Sequence, residues 1–242
     1  MSSPRKTAIV TGASQGIGAG IVTAFVERGF NVIANSRKVT RSTEVTASEH
    51  VALVDGHIGE PATAARIVEI ALSRFQSIDV LVNNAGIFFT KPFTDYTVED
   101  FHELVSTNIE GFLYITQLAI KQMLAQKTGG SIVTITAALA VNPIAGVKAS
   151  VPMITKGGLD TITKHLAIEY AKDGIRFNAV APGVVYTPLH RDTPQDVMES
   201  LSPMGRPSTV KEITDAVMYL TEAATVTGDT LYVDGGAHVG RW

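Results

Sequence analysis

Seven short runs of apolar and β-branched residues recur along the chain: TAIVT (Thr7 to Thr11), NVIAN (Asn31 to Asn35), VALV (Val51 to Val54), DVLV (Asp79 to Val82), SIVTIT (Ser131 to Thr136), IRFNAV (Ile175 to Val180) and TLYV (Thr230 to Val233). Between them the apolar spacing lengthens to a helical period. Ala64, Val68, Ala71, Leu72 and Phe75 fall on one helical face, and Leu159, Ile162, Leu166 and Tyr170 repeat the pattern after TKGG. Strands alternating with such helices predict an α/β chain with a doubly wound, parallel, seven-stranded sheet covered by helices on both faces. Two stretches lack a periodic face. Arg37 to His50 is polar and Thr-rich, and Leu189 to Pro203 is irregular, the latter placed as a lid over a substrate pocket. No internal repeat or linker interrupts the pattern, so residues 1–242 read as one domain.

Composition narrows the function classes. The net charge of −3, with Lys and Arg scattered, supplies no basic field for a nucleic acid partner. No apolar run approaches membrane-spanning length, and strand character begins within a few residues of the N-terminus, so no membrane association is expected and a cytoplasmic protein is anticipated. With no cysteine, disulfides, thiolate metal ligands and cysteine nucleophiles are excluded, and no metal site is expected.

The first strand runs directly into TGASQGIGAG, where Gly12, Gly16 and Gly18 open a helix. Glycines let the backbone approach a pyrophosphate, and the helix N-terminus offers unpaired N–H groups and a favourable dipole. The spacing is a variant of the general dinucleotide fingerprint.

TGASQGIG is followed in order by NNAG (Asn83 to Gly86), Asn108 in STN, Lys156 in TKGGL, NAVAPGVVYTP (Asn178 to Pro188) and VTGDTLYVDGG (Val226 to Gly236). This series resembles the short-chain dehydrogenase/reductase family over nearly the whole chain. The resemblance implies a Rossmann-like fold with strand order 3-2-1-4-5-6-7, an NAD or NADP cofactor at the carboxyl edge, a small-molecule substrate, and a homotetramer or homodimer with contacts from helices starting near Thr97 and Met153. It also implies cofactor contacts from Gly12, Ser14, Gln15, Gly16, Ile17, Gly18, Asn84, Ala85, Gly86, Lys156, Pro182, Gly183, Val185 and Thr187. At the end of the second strand an acidic residue would bond the ribose hydroxyls of NAD. This chain has Asn35, Ser36, Arg37 and Lys38 there, and a hydroxyl with a guanidinium suits a 2′-phosphate, so NADP(H) is favoured with NAD(H) as the alternative. Gln15 stands where NADP-preferring members carry a basic residue. His57 and Ile58 replace the Asp-hydrophobic pair that holds adenine, with Asp55 as a substitute.

The family's Tyr-x-x-x-Lys pair is Pro152 and Lys156 here, and Ala137 stands at its serine position. In the resembled family the lysine lowers the tyrosine pKa, the tyrosine exchanges a proton with the substrate oxygen, and an asparagine, here Asn108, holds a water that feeds the lysine. Proline and alanine have no proton to give. Thr136 and Tyr186 are the candidate replacements, set against plainer readings as a core threonine and a packing or solvated tyrosine. His190, Lys148 and Ser150 flank the same pocket in sequence. Three functional readings follow: an NADP(H)-dependent oxidoreductase acting on imines or activated C=C bonds; a non-catalytic nucleotide-binding pseudoenzyme or partner subunit; or a variant of a carbonyl reductase altered at its active site.

Overall fold

A computed structural model describes residues 4–240. Its strands are β1 (Thr7–Thr11), β2 (Asn31–Ser36), β3 (Val51–Asp55), β4 (Val80–Asn83), β5 (Gly130–Ile135), β6 (Ile175–Pro182) and β7 (Thr230–Val233). Its α-helices are α1 (Gly16–Glu27), α2 (Pro61–Phe75), α3 (Val98–Val105), α4 (Gly111–Gln126), α5 (Ser150–Glu169), α6 (Gln195–Ser200) and α7 (Val210–Glu222). All pairings are parallel, in the order β3-β2-β1-β4-β5-β6-β7. That is the expected sheet.

The strands alternate between two cores. Val10, Val32, Val82 and Val133 pack on the side of α1 and α7, while Ile9, Ile33, Leu81 and Ile132 pack on the side of α2, α4 and α5. The strands β1, β2, β4, β5 and β6 are therefore buried on both faces, which explains why their sequence runs are continuously apolar rather than alternating, whereas β7 at the edge is only half-buried. The strand order reverses at β1, with β2 and β3 to one side and β4 onward to the other, so the loops leaving β1 and β4 diverge and leave a crevice at the carboxyl edge.

Three boundaries differ from the sequence expectations. The helix placed at Met153 begins at Ser150, so Pro152 is its third residue rather than its first. It is tolerated because the first turn has no intrahelical use for its N–H groups. The buried stripe of α5 runs through Pro152, Thr155, Lys156, Leu159, Asp160, Thr163 and Ala167, leaving Ile162 outside it. The stretch from Leu189 to Pro203 contains a tight helical turn at Pro188–His190 and the short helix α6. Arg37 to His50 forms no α-helix, as its polarity implies, only a tight turn at Val39–Arg41. No helix among the described residues is long and apolar enough to cross a membrane.

Candidate active site

The first wall of the site is the turn between β1 and α1. Gly12 and Gly16 adopt left-handed conformations (φ 65° and 58°), and a Cβ on Gly12 would lie 2.8 Å from the Cα of Ala85. A side chain there would force the β1 and β4 loops apart. Those loops are stapled by side chains: the Thr11 hydroxyl accepts from the N–H groups of Asn84 (3.1 Å) and Ala85 (3.0 Å), and the Asn84 amide donates to the carbonyls of Thr11 (2.9 Å) and Gly12 (3.1 Å). Asn84 thus shapes the cradle with an amide already committed to it. Helix α1 has no side-chain cap of its own from Gln15, and the Gly16 N–H donates instead to the Glu44 carboxylate at 3.1 Å. An acid from a distant loop there agrees with the positive end of the helix dipole.

Two connected cavities lie against this turn. The larger, about 380 Å³, is bounded by the glycine turn, the ends of β4, β5 and β6, Lys156 and the lid. The smaller, about 170 Å³, runs along the end of β2. Gly12, Gln15, Ala85, Gly86 and Ile87 face both, so the two form one groove. Of the residues proposed from sequence for the cofactor, Gly16, Ile17, Gly18, Asn84, Lys156, Pro182, Gly183, Val185 and Thr187 line the larger part, and Ser14, Ser36, Arg37, His57 and Ile58 the smaller. The Ser36 hydroxyl is buried with no hydrogen-bond partner. An orphaned donor beside an exposed guanidinium fits a phosphate-bearing ligand.

The candidate adenine end differs from its expected form. Asp55 is tied to Thr40, accepting from its N–H at 2.9 Å and its hydroxyl at 2.5 Å, and these bonds hold its carboxyl below the usual carboxylate range. It secures the tight turn after β2. His57 Nδ1 accepts from the Gly59 N–H at 3.2 Å, which leaves Nε2 as the protonated nitrogen, facing the Thr107 hydroxyl at 3.3 Å.

The second wall carries the chemistry. Helices α3 and α4 join through a π-turn at Ser106–Glu110, which displaces Asn108 inward until it is 1% exposed. Its carbonyl accepts from the Ile87 N–H (2.9 Å), and its amide donates to the Ile87 carbonyl (3.1 Å) and the Thr155 hydroxyl (2.9 Å). Thr155 in turn donates to the Pro152 carbonyl at 2.7 Å. The first turn of α5 is thereby locked to the π-turn. Lys156 is 8% exposed, donates to the Ile135 carbonyl at 2.8 Å, and has no carboxylate partner; burial pulls its pKa down to about 8. A Cβ on Gly86 would sit 3.0 Å from Lys156 Nζ and 3.3 Å from Asn108 Oδ1, so any side chain there would press on both groups.

Ala137 lines the larger cavity, whereas Pro152 is buried outside its lining. Thr136 borders the cavity, but both its N–H (2.8 Å) and its hydroxyl (3.3 Å) donate to the Val180 carbonyl, so its side chain is tied into the sheet edge. Tyr186 is 43% exposed and does not line the cavity. Lys148 and Ser150 are exposed outside it. His190 does line it, with burial lowering its pKa. The rest of the wall is mostly apolar: Leu189 and Leu201 come from the stretch placed as a lid, while Phe88, Leu139, Asn142, Ile144, Val147 and Ala237 escaped sequence reasoning. Asn142 donates to the Ala237 and Gly240 carbonyls and so ties the C-terminal turn to this wall. Among the described residues no cluster of His, Asp and Glu could hold a metal ion.

Parallel sheet, glycine turn, buried lysine and carboxyl-edge cavity together define a dinucleotide-binding α/β protein. The chain belongs to the short-chain dehydrogenase/reductase family: the family model described as Enoyl-(Acyl carrier protein) reductase matches residues 12–238. It is 35% identical over 248 residues to a glucose 1-dehydrogenase of Gluconobacter oxydans, covering 96% of this chain and 91% of the relative. A tropinone reductase homolog of Arabidopsis thaliana is 36% identical over 244 residues, covering 95% and 92%. Among solved structures, a 3-ketoacyl-(acyl-carrier-protein) reductase from Brucella melitensis complexed with NADH superposes with a TM-score of 0.89 at 30% identity, over 98% of this chain and 100% of that one. ElxO with NADP bound gives 0.87 at 27% identity, over 96% and 98%.

Proposed function

We propose that this protein is an NADP(H)-dependent oxidoreductase acting on small, largely apolar substrates whose reduction needs little acid assistance, such as imines or activated C=C bonds. The observation that carries this reading is the division of one cavity: Lys156, Asn108 and the glycine turn keep the family frame, while Ala137 and the buried Pro152 take the places of the hydroxyl groups that would engage a ketone oxygen.

A bound nicotinamide cofactor supplies or accepts the hydride. The chain's own residues do the rest. The N–H groups at the start of α1 and the glycine turn would hold the pyrophosphate, Ser36 and Arg37 the 2′-phosphate, Ile58 and His57 the adenine side, and Lys156 the nicotinamide ribose. The apolar wall from Ile144 to Leu201 and the lid turn at Pro188–His190 exclude water and align the substrate. Such orientation supplies roughly 7–11 kcal/mol of a two-reactant barrier, against roughly 3–5 kcal/mol for a positioned general acid. Losing the acid therefore slows ketone reduction most, and an iminium carbon, already positive, least.

Support for NADP(H) over NAD(H) comes from the orphaned Ser36 hydroxyl next to Arg37 and from Ser36, Arg37 and Lys38 standing at the end of β2 where an acid would favour NAD(H). Exposed Phe101, Leu113, Leu124, Ile154 and Ile168 on α3, α4 and α5 support a homo-oligomer. A second reading, a non-catalytic nucleotide-binding subunit, is favoured by the loss of both hydroxyl groups at once. The separating experiment is NADPH and NADH binding followed by cofactor oxidation with ketones, cyclic imines and enones. Tight NADPH binding with imine or enone turnover supports the reductase, and binding without turnover on any of them selects the second reading.

A further inference from the structure

Among the described residues only two ionisable side chains, Lys156 and His190, face the larger cavity. The surroundings of Lys156 are otherwise neutral: Gly86 and Ile87 after β4, Ile135 to Ala137 after β5, Asn108 in the π-turn, and Pro182 to Val185 after β6. Asp160, one turn further along α5, is committed to Lys164 (2.9 Å) and to the Thr230 hydroxyl (2.6 Å). Among the described residues no carboxylate neutralises the lysine, and no phenol stands between it and the space where a substrate would lie. One of its three N–H groups is used on the Ile135 carbonyl.

We propose that Lys156 is itself the terminal proton donor of this site, handing its proton directly, or through one water, to the atom that becomes negative when hydride is delivered. The inference rests on the reductase reading above. With reduced nicotinamide as hydride source and an enone as acceptor, hydride forms a C–H bond at the β-carbon and the C=C electron pair moves toward the oxygen. The resulting enolate then takes a proton from the Lys156 ammonium, leaving a neutral amine that solvent reprotonates. A preformed N,N-dialkyl iminium needs no such step, because hydride addition alone converts C=N⁺ to a neutral tertiary amine. The neighbourhood suits the role. A buried lysine titrating near 8 is far better matched to neutral pH than an ordinary one at 10.5. His190 is lowered too, but from an ordinary value already below neutral pH, so burial moves it away from the working range of an acid. Thr155 and Asn108 fix the first turn of α5, and the Ile135 carbonyl holds the Lys156 ammonium at the cavity wall.

The test separates the proton from the position. First, with no cofactor or substrate present, the ¹³Cε signals of labelled lysines are followed from pH 6 to 11, with Lys156 assigned by its absence in Lys156→Arg. A midpoint near 8 is expected, and one near the ordinary lysine value overturns the proposal. Second, single-turnover rates with NADPH are measured for an enone and for an N,N-dialkyl iminium. In the wild type the enone rate falls as pH rises through about 8, because the protonated amine is the active form, while the iminium rate does not follow it. Arginine keeps the charge and does not release its proton. Lys156→Arg is therefore expected to slow the enone ~10²-fold or more beyond whatever slowing it causes with the iminium, whose own loss reads the altered ribose contact. Equal slowing of both substrates assigns Lys156 to cofactor positioning alone, and no slowing of either, with loss in His190→Asn, moves the proton to His190; both overturn the proposal. Where the Arg variant fails to fold, the wild-type pair of pH profiles decides. If the wild type turns over neither substrate, the reductase reading falls and the donor role with it. If it turns over both without the split, only the donor role falls.

Discussion

The two walls of the cavity respond differently to the constraints of the fold. The glycine-turn wall is built from backbone: Gly12 and Gly16 with positive φ, Gly86 against Lys156 and Asn108, and Thr11 and Asn84 joining β1 to β4. Almost any substitution there disturbs the crossing of two strands. The opposite wall presents the side chain of Ala137 at a strand end, with Pro152 buried behind it at a helix start, and the sheet is complete without chemistry at either position. The fold thus constrains the glycine turn and leaves residue types at the second wall freer to vary. That is why a cradle can persist intact beside an altered chemical wall.

The comparison is broken most directly by rebuilding the altered wall. If the rest of the site is competent for carbonyl chemistry, Pro152→Tyr combined with Ala137→Ser raises NADPH-dependent ketone reduction by ~10²–10⁴, measured as kcat/KM on a simple ketone panel. No gain would show that the apolar wall from Leu139 to Leu201 has been reshaped for another acceptor.

Lys156 joins the two walls, and its burial has a thermodynamic signature. Its pKa falls from 10.5 unfolded to about 8 folded, so below pH 8 the folded protein carries a buried charge at a penalty of about 3 kcal/mol. The penalty fades as pH rises from 8 to 10.5, because the unfolded chain then binds a proton that the folded one does not. Denaturant unfolding of the wild type and Lys156→Met across that window is expected to show the wild type gaining about 3 kcal/mol relative to the variant. A constant difference would place the lysine in a wetter environment.

Gly12→Ala probes the cradle itself. A non-glycine residue at φ 65° carries roughly 1–3 kcal/mol of backbone strain, and its Cβ would meet the Ala85 backbone at 2.8 Å. Both a lower Tm and a loss of NADPH binding are expected. Retained binding at full affinity would mean that the β1 and β4 loops separate easily.

Much of this division was legible in the sequence. Continuous apolar runs gave away strands buried on both faces, and the glycine spacing placed the cradle. The buried stripe of α5 was not legible by hydropathy, because Thr155 and Thr163 enter it by donating to the carbonyls of Pro152 and Leu159, which hides their polarity. The π-turn that drives Asn108 inward has no periodic signature. The remote wall joins Leu139, Leu201 and Ala237, which meet only because β5, the lid and β7 end at the same edge. The surroundings of Thr136 and Tyr186 were not legible either, because a hydroxyl's partners depend on tertiary structure: Thr136 donates to the Val180 carbonyl, and Tyr186 is an exposed residue.

The smaller effects sharpen the cradle's own electrostatics. Arg37→Ala and Ser36→Ala are each expected to weaken NADPH by ~10-fold, about 1.4 kcal/mol, while changing NADH little. Equal losses for both cofactors would remove the case for a 2′-phosphate. Glu44 is the finest test, because it brings negative charge to the same helix end that would face the cofactor's phosphates. In the free protein its carboxylate offsets the α1 dipole, so Glu44→Gln is expected to lower stability by about 0.3–1 kcal/mol at low salt. In the complex it repels the phosphates, so the same variant is expected to tighten NADPH two- to fivefold, with the gain shrinking as ionic strength rises. Opposite signs for stability and affinity, read by thermal unfolding and fluorescence titration on one variant, would identify Glu44 as a resident anion at the cofactor's helix. Equal signs would reduce it to an ordinary surface cap.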